Sequence, residues 1–239
     1  MGLLAKFRDM SAAIGPWNAT LFSVSRLSRI VAGNRIRIVK YYFTAQPVVA
    51  PDGGARGSGT FDFTWADASS ELLKQADRPA SVLASRFDQG ALCLVAARQN
   101  ELAGFVWFVT GPYEEDEVRA RFVPGPGGEA AWDFDVTIMP RYRMGRLFSH
   151  LWARTNAELA RRGVRHTMSR ISAFNPESLQ AHARLGLRRL GSATFVCAGR
   201  VQLAVLTMPP FVHLSLSPAS RPTVRLRAPD ATAPIAGAR

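Results

Sequence analysis

The segment from Ala130 to Gly163 constrains the fold most, because its pattern is that of a strand that turns directly into a helix. Residues 130–139 alternate between two faces, as a β-strand does. One face carries Trp132, Phe134, Val136 and Ile138, and the other carries Asp133, Asp135 and Thr137. The basic turn PRYRMGRLF follows, and a helix is predicted from about Gly145 to Arg162. Such a junction can hold a phosphate on its backbone amides, or it can be only a basic turn.

The rest of the chain predicts strands interleaved with helices. Apolar runs at ALCLVAA and LAGFVWFVT, joined by RQNE, indicate a hairpin, and SATFVCAGRVQLAVL indicates a closing hairpin. Asn175-Pro176 is typical of a capped helix start. We therefore predict two N-terminal helices within residues 1–35, packed on or near a main domain over 36–208. A Pro- and Ala-rich, disordered tail is predicted over 209–239.

Charge is divided along the sequence, and the division favours a phosphate-bearing partner. Residues 51–136 hold 14 acidic and 7 basic residues, net −7, whereas residues 141–190 hold 11 arginines, no lysine and two glutamates, net +9. The planar guanidinium can bind phosphate oxygens in pairs. A nucleotide-containing cofactor would suit this block, and so would nucleic acid. The alternative is a solvated surface that keeps the protein soluble.

Several classes of protein and site are not expected. No apolar run is long enough to span a membrane and no signal-peptide pattern is present, so we expect a cytoplasmic protein. The second predicted helix is basic and amphipathic, so it could lie on an anionic membrane, but packing on the chain's own core is commoner and is what we expect. The histidines lack metal-ligand spacing, so no metal site is predicted. Cys93 and Cys197 lie in apolar strand-like runs, which indicates buried free thiols.

Two motifs, DVTIMPRYRMGRLFSHLW and NPESLQAHARLGL, carry a resemblance to a known family. Through them, residues 90–200 resemble the GNAT superfamily of acyl-CoA N-acyltransferases. The resemblance implies an α/β fold with a mixed, mostly antiparallel sheet of about seven strands. It also implies helices that flank this sheet and a splay between its fourth and fifth strands.

The first motif implies a site for the coenzyme A pyrophosphate. In the family, backbone amides within Arg/Gln-x-x-Gly-x-Gly/Ala bind this group, and anchoring on Pro140 assigns that role to Arg143, Met144, Gly145, Arg146, Leu147 and Phe148. Arg146 and Phe148 stand where the two glycines are expected. The amides remain, and the charges of Arg143 and Arg146 could offset the lost close approach. Gly145 could absorb any backbone strain of the turn.

The second motif implies further contacts with coenzyme A from Asn175 and Ser178. His182 takes the place of a family tyrosine that is thought to protonate the leaving thiolate. A histidine titrates near neutrality, so His182 could serve as an acid or a base. The alternative is a histidine that only packs in its helix or caps it.

The resemblance implies direct attack of a small-molecule or peptidyl amine on acetyl-CoA or another acyl-CoA, through a ternary complex without a metal. Main-chain groups of Val136 and Ile138 are expected to pair with the pantetheine arm. Asp133 and Asp135 share a strand face, so they could raise each other's pKa and supply a general base. They could instead be polar residues on a solvated face. The loop PYEEDEV could attract a cationic acceptor or be merely solvated.

Two other functions stay open from the sequence. The donor could be a longer-chain acyl-CoA or an acyl carrier protein, because the missing glycines and the basic surface fit an acidic carrier. Alternatively, the chain could be a catalytically inactive GNAT-shaped module whose arginines bind an anionic partner such as nucleic acid or membrane. Nucleic acid is not the expected partner.

Overall fold

The computed structural model describes residues 3–49, 60–125 and 127–228. They divide into two compact units. The first comprises the residues up to 46, 114–122 and those from 169 onward, and the second comprises 47–113 and 123–168. The chain is a mixed α/β protein with a large, mostly antiparallel sheet flanked by helices, which confirms the predicted fold class. The splay between two strands stays a prediction.

The helices and strands of the described residues follow one another much as the sequence pattern predicts. In chain order the helices are α1 (Leu3–Ile14), α2 (Pro16–Ala32), α3 (Glu71–Lys74), α4 (Ala80–Asp88), α5 (Leu147–Arg161) and α6 (Pro176–Ala183). The strands are β1 (Ile36–Pro47), β2 (Asp62–Ala66), β3 (Leu92–Arg98), β4 (Glu101–Val109), β5 (Tyr113–Glu114), β6 (Arg121–Pro124), β7 (Ala130–Ile138), β8 (His166–Ser172), β9 (Arg188–Ala198), β10 (Val201–Leu206), β11 (Val212–Ser215) and β12 (Thr223–Leu226).

The second unit is built on the antiparallel strands β7, β4, β3 and β2, which neighbour one another in that order. β3 and β4 form the predicted hairpin, closed by Gln99 and Asn100 in the left-handed region, with φ of 53° and 61°. The apolar stripe of α5 packs on this sheet. Its core contains Leu94, Ala96, Ala103, Val106, Leu147 and Leu151. Burial of this stripe fixes how the helix leaves the end of β7.

The first unit orders its strands β11, β10, β9, β1 and β8. β8 belongs to this unit from Ser169 onward, and its first residues belong to the second unit. β9 and β10 form the predicted closing hairpin, with Gly199 at φ 56° in its turn. α2 lies along β1, where Asn18 Nδ2 donates to Tyr42 Oη at 2.7 Å and Ser25 Oγ donates to the Ile38 carbonyl at 2.9 Å.

Regular structure continues past the boundary predicted at residue 209. β11 joins the edge of the sheet beside β10, and β12 joins β6 and β5 in a separate small sheet. The prediction of a tail that begins at residue 209 is therefore wrong for residues 212–226. The proline-rich composition concealed two short strands that depend on distant partners. The last residues of the predicted tail, 229–239, lie outside the described residues.

Two further observations bear on the sequence predictions. Cys93 and Cys197 are both buried and neither forms a disulfide, which confirms the prediction of free thiols. Burial raises the pKa of both thiols. Among the helices that the structure describes, none combines the length and apolar character needed to cross a bilayer.

Gly104 marks the tightest backbone packing in the second unit. A Cβ placed there would lie 2.8 Å from the carbonyl oxygen of Thr137, whereas one at Gly111 would meet nothing within 4 Å. We therefore expect Gly104→Ala to lower the free energy of unfolding by about 1–3 kcal/mol, through overpacking against an immobile carbonyl. Gly111→Ala is the matched control and should change it by less than about 1 kcal/mol. Urea denaturation measures both, and equal effects would contradict the packing described here.

Candidate functional site

The candidate anion site lies in the second unit, where β7 gives way to α5. We call residues 139–146 the basic turn. It is closed by main-chain hydrogen bonds from Tyr142 to Met139 at 2.8 Å and from Gly145 to Tyr142 at 3.3 Å. Arg146 is the N-cap of α5, and its side chain makes no capping hydrogen bond. The first amides of α5 are therefore not capped by that side chain, as an anion site at a helix N-terminus requires.

The arginines of the basic turn differ in what they contact. Arg141 forms an ion pair with Glu101 and lies over the ring of Tyr142. Arg143 is exposed and donates from Nε to the Ile138 carbonyl at 3.1 Å. Arg146 is also exposed. Within the described residues neither Arg143 nor Arg146 has an ion pair, so both guanidinium groups can meet an anion from solvent.

The other residues predicted to hold pyrophosphate contribute little through their side chains. Met144 is fully exposed, Leu147 is wholly buried in the core, and Phe148 packs edge-on against Trp152. The φ of Gly145 is not positive, and a Cβ there would meet only the Tyr142 carbonyl, at 3.6 Å. The expectation that Gly145 absorbs strain is therefore wrong, because any L-residue fits its backbone.

A β-bulge shapes β7 just before the basic turn. Trp107 on β4 pairs with Phe134 and Phe105 pairs with Thr137, so two residues of β7 oppose a single one of β4. Asp135 sits in this bulge with φ 51°. After the bulge, the side chains of Val136 and Ile138 pack against the core under α5. Any ligand contact of these two residues would therefore come from their main-chain groups, and their pairing with the pantetheine arm stays a prediction.

The carboxylate of Asp135 is hydrogen-bonded to two arginines, whereas the sequence predicted that a neighbouring carboxylate would act on its pKa. Arg78 donates from Nε and Nη2 to its two oxygens, both at 2.7 Å, and Arg86 donates from Nη1 at 2.6 Å. Burial acts to raise the pKa of Asp135, but the hydrogen bonds and charge of Arg78 and Arg86 outweigh it and lower the pKa below its usual value. The expectation of a raised pKa that would suit a general base is therefore wrong for Asp135.

Asp133 is also placed differently from the prediction. Its side chain is 2% exposed, because β7 is buried on both faces from Ala130 to Phe134. The proposed solvated face is therefore wrong, and the bulge interrupts the alternation that the two aspartates were expected to share. A role of Asp133 as a base stays a prediction.

α6, in the first unit, begins as the sequence predicts. Asn175 is its N-cap and accepts a hydrogen bond at Oδ1 from the Ser178 amide at 3.0 Å. This bond occupies the Ser178 amide and one lone pair of the Asn175 oxygen. The side-chain groups left for a ligand are Asn175 Nδ2, the second lone pair of Oδ1 and Ser178 Oγ.

His182 lies at the end of α6 and is 4% exposed. Its Nδ1 is 3.1 Å from Gln46 Oε1, at the end of β1. A carbonyl oxygen only accepts, so Nδ1 carries the hydrogen. Burial lowers the pKa of His182 to about 4, and the imidazole is uncharged at neutral pH. The expectation of an acid or base titrating near neutrality is therefore wrong, and the contacts favour a packed, hydrogen-bonded histidine.

Some charged residues of the acidic and basic segments form ion pairs within the folded protein. Arg170 on β8 makes two hydrogen bonds to Glu115, at 2.8 and 2.6 Å, and lies over the ring of Tyr41. Glu115 belongs to the loop PYEEDEV, and its side chain is 1% exposed. The Glu115 carboxylate is thus buried in an ion pair with Arg170, and it is not an exposed charge that could attract a cationic acceptor. Within the block 141–190, Arg141, Arg161 and Arg162 are also ion-paired.

The predicted site residues fall in both units. Asp133, Asp135, Val136, Ile138 and residues 143–148 lie in the second unit, while Asn175, Ser178 and His182 lie in the first. Sequence reasoning missed Arg78 and Arg86, which hold Asp135, and Gln46, which holds His182. No spacing pattern could have revealed these partners, since they lie 57, 49 and 136 positions away. In the described ranges, no three His, Cys, Asp or Glu side chains cluster as metal ligands.

No protein-family model matches the sequence, and no curated protein matches it either. Solved structures that it resembles include a Novosphingobium aromaticivorans protein assigned to the GNAT family of acetyltransferases. That protein is 15% identical over 66% of this chain and 63% of that one, with a TM-score of 0.43.

A glucosamine N-acetyltransferase region of a fungal multi-domain β-N-acetylglucosaminidase is 14% identical, over 72% of this chain and 22% of that one, with a TM-score of 0.48. A Salmonella typhimurium protein assigned as an acetyltransferase was solved with acetyl-CoA. It is 17% identical over 66% of this chain and 91% of that one, with a TM-score of 0.37. The chain spans less than two thirds of the length of several such structures. No residue's role follows from likeness at this level.

The buried ion triad of Asp135 predicts a large effect on stability. Asp135→Asn removes the charge that two guanidinium groups share, so we expect the free energy of unfolding to fall by about 3–5 kcal/mol. The matched control is Glu158→Gln, which also contacts two arginines, but these are exposed. Its effect should be about 0–1 kcal/mol. Denaturant unfolding measures the loss of stability in both variants. If Asp135→Asn is as stable as the unaltered protein, the ion triad does not stabilise the fold, and a catalytic role of Asp135 is open again.

The lowered pKa of His182 predicts a specific pH dependence of stability. Between pH 6.5 and about 4 the unfolded chain binds a proton at this residue and the folded protein does not. The free energy of unfolding should therefore fall as the pH drops through this window, by roughly 3 kcal/mol in total. His182→Gln should lack this part of the decline. Urea unfolding at several pH values compares the two proteins, and parallel curves would mean that His182 is not a buried neutral group.

Proposed function

We propose that this protein is an N-acyltransferase that moves an acetyl group from acetyl-CoA to a small-molecule or peptidyl amine. The observation that carries the proposal is the basic turn, which joins a strand to a helix whose first amides lack a capping side chain. Arg143 and Arg146 add two exposed positive charges to those amides. A pyrophosphate is the kind of anion that such a combination binds. The resemblance of the sequence motifs to the GNAT superfamily supplies the identity of the donor.

The proposed reaction passes through a ternary complex without a covalent enzyme intermediate. The amine nitrogen attacks the thioester carbonyl, a carbon–nitrogen bond forms and the carbon–sulfur bond breaks. The nitrogen loses a proton and the sulfur leaves as a thiolate that gains one, so the products are an amide and free coenzyme A. The protein would contribute mainly orientation and hydrogen bonds to the developing oxyanion. Main-chain groups of Val136 and Ile138 are the proposed contacts for the pantetheine arm.

Proton transfer is assigned to neither Asp135 nor His182 in this proposal. Asp135 is held ionised by two arginines, and the His182 imidazole is neutral and donates to Gln46. An acceptor amine that arrives uncharged needs only to release its proton after attack, and water can take it. We therefore expect the pH–rate profile to follow the pKa of the acceptor amine.

A second candidate function has one observation in its favour. Because Asp135 and His182 are both engaged in structural contacts, the chain could bind an anionic ligand without turning it over. Release of free thiol from acetyl-CoA, measured with a panel of primary amines and amine-bearing peptides, separates the two functions. Coenzyme A binding without thiol release from any amine would favour the binding module. Faster release from an acyl carrier protein than from acetyl-CoA would favour the carrier as donor.

Removal of the two exposed charges in the basic turn tests the donor site. We expect Arg143→Gln combined with Arg146→Gln to weaken coenzyme A binding by about tenfold or more, because each charged hydrogen bond to phosphate is worth about 1.5–3 kcal/mol. The matched control combines Arg98→Gln with Arg165→Gln, two exposed arginines of the same unit outside the basic turn. Isothermal titration measures all three proteins. No binding by the unaltered protein at millimolar coenzyme A would refute the proposed donor.

A further inference from the structure

α2, in the first unit, buries few of its large apolar residues. Its buried residues are Asn18, Ala19 and Ser25, and Asn18 and Ser25 are hydrogen-bonded to Tyr42 and to the Ile38 carbonyl. A surface helix of a globular protein normally buries its apolar side chains and exposes its polar ones. Phe22 packs edge-on against Phe174, but several other large apolar side chains of α2 are exposed.

The outward side of α2 carries these apolar residues. Trp17, Val24, Leu27 and Val31 recur at helical spacing along one face and are 66%, 47%, 60% and 79% exposed. We call these four residues the α2 apolar face. Ile30 on α2 and Leu4 on α1 are also exposed, at 74% and 86%. So many neighbouring large apolar side chains in water indicate a surface that binds something.

The net charge of the segment that contains α1 and α2 indicates what the α2 apolar face binds. The described residues from 3 to 36 hold five basic side chains and a single acidic one, Asp9. None of the five has an ion pair among the residues that the structure describes. The basic residues are Lys6, Arg8, Arg26, Arg29 and Arg35. A second copy of this chain would set one net positive surface against another, whereas an anionic bilayer offers negative headgroups above an apolar layer.

We propose that α1 and α2 dock this protein on an anionic phospholipid surface. The α2 apolar face lies in the boundary between headgroups and acyl chains, and the net positive charge of α1 and α2 is attracted to the lipid phosphates. This proposal is independent of the proposed acyl transfer, because all its residues lie outside the basic turn and α6. It concerns where the protein is held and not what it catalyses.

Flotation with lipid vesicles tests this docking in the full chain. The protein should float with vesicles that contain phosphatidylglycerol and not with vesicles of phosphatidylcholine alone. Raising the salt concentration should weaken the binding, because headgroup attraction is screened. Insertion of Trp17 should shift the tryptophan emission to the blue, and Trp17→Phe should remove most of that shift.

Two pairs of substitutions locate the contact. Leu27→Asp with Val31→Asp should weaken vesicle binding by about tenfold or more, since two apolar anchors become charged. The matched control, Val212→Asp with Leu214→Asp, makes the same kind of change at exposed apolar residues of β11 and should bind as the unaltered protein does. Lys6→Glu with Arg26→Glu tests the charge without touching the α2 apolar face and should also weaken binding.

Three results would overturn the proposal. The first is no flotation with phosphatidylglycerol vesicles at low salt. The second is an equal loss of vesicle binding in the α2 and β11 double variants, which would indicate nonspecific hydrophobic adsorption. The third is a dimer, seen by sedimentation, that the Leu27→Asp and Val31→Asp pair dissolves, because the α2 apolar face would then bind a second copy.

Discussion

The second unit depends on one interaction, the neutralisation of Asp135 by Arg78 and Arg86. The carboxylate sits in a β-bulge at φ 51°, between the buried part of β7 and the residues that lead into the basic turn. Leaving such a buried charge unpaired would cost on the order of several kcal/mol. Arg78 precedes Pro79, the N-cap of α4, and Arg86 lies within that helix, so the triad ties α4 to β7. The direction in which the chain enters the basic turn is set by this bulge.

The first unit uses charge in the same way. Glu115 and Arg170 form a buried pair beside Tyr41, and Glu117 accepts a hydrogen bond from the Tyr41 hydroxyl at 2.5 Å. Burial raises the pKa of Tyr41, while the neighbouring carboxylates raise that of Arg170 against its own desolvation. Asp135, His182 and Glu115, for which the sequence suggested roles in the reaction, thus have contacts that stabilise the fold. Among the predicted site residues, Arg143 and Arg146 have no ion pair in the described part of the chain, and the first amides of α5 have no capping side chain. A reaction governed by orientation can use such groups.

Local patterns predicted most of the elements and part of the candidate site. The presence of β7, the α5 stripe, the Asn175 cap and both hairpins depend on neighbouring residues, and each was predicted from the sequence. The partners of Asp135 and His182 depend on how distant segments pack, so periodicity could not reveal them. Periodicity also could not reveal the bulge, because of which Asp133 and Asp135 do not share a strand face. Nor could it reveal β12, because its partner β6 lies about a hundred residues earlier. Charge counts in a segment do not show which charges are already paired.

We propose that the basic turn and the first amides of α5 hold the pyrophosphate of coenzyme A. Hydrogen–deuterium exchange with and without coenzyme A tests this site, because the proposed contacts are main-chain amides and the method measures the protection of those amides. Saturating coenzyme A should slow exchange in peptides that cover residues 136–148, while peptides from the hairpin of β9 and β10 should exchange unchanged. Unaltered exchange across residues 136–148 at millimolar coenzyme A would contradict the account.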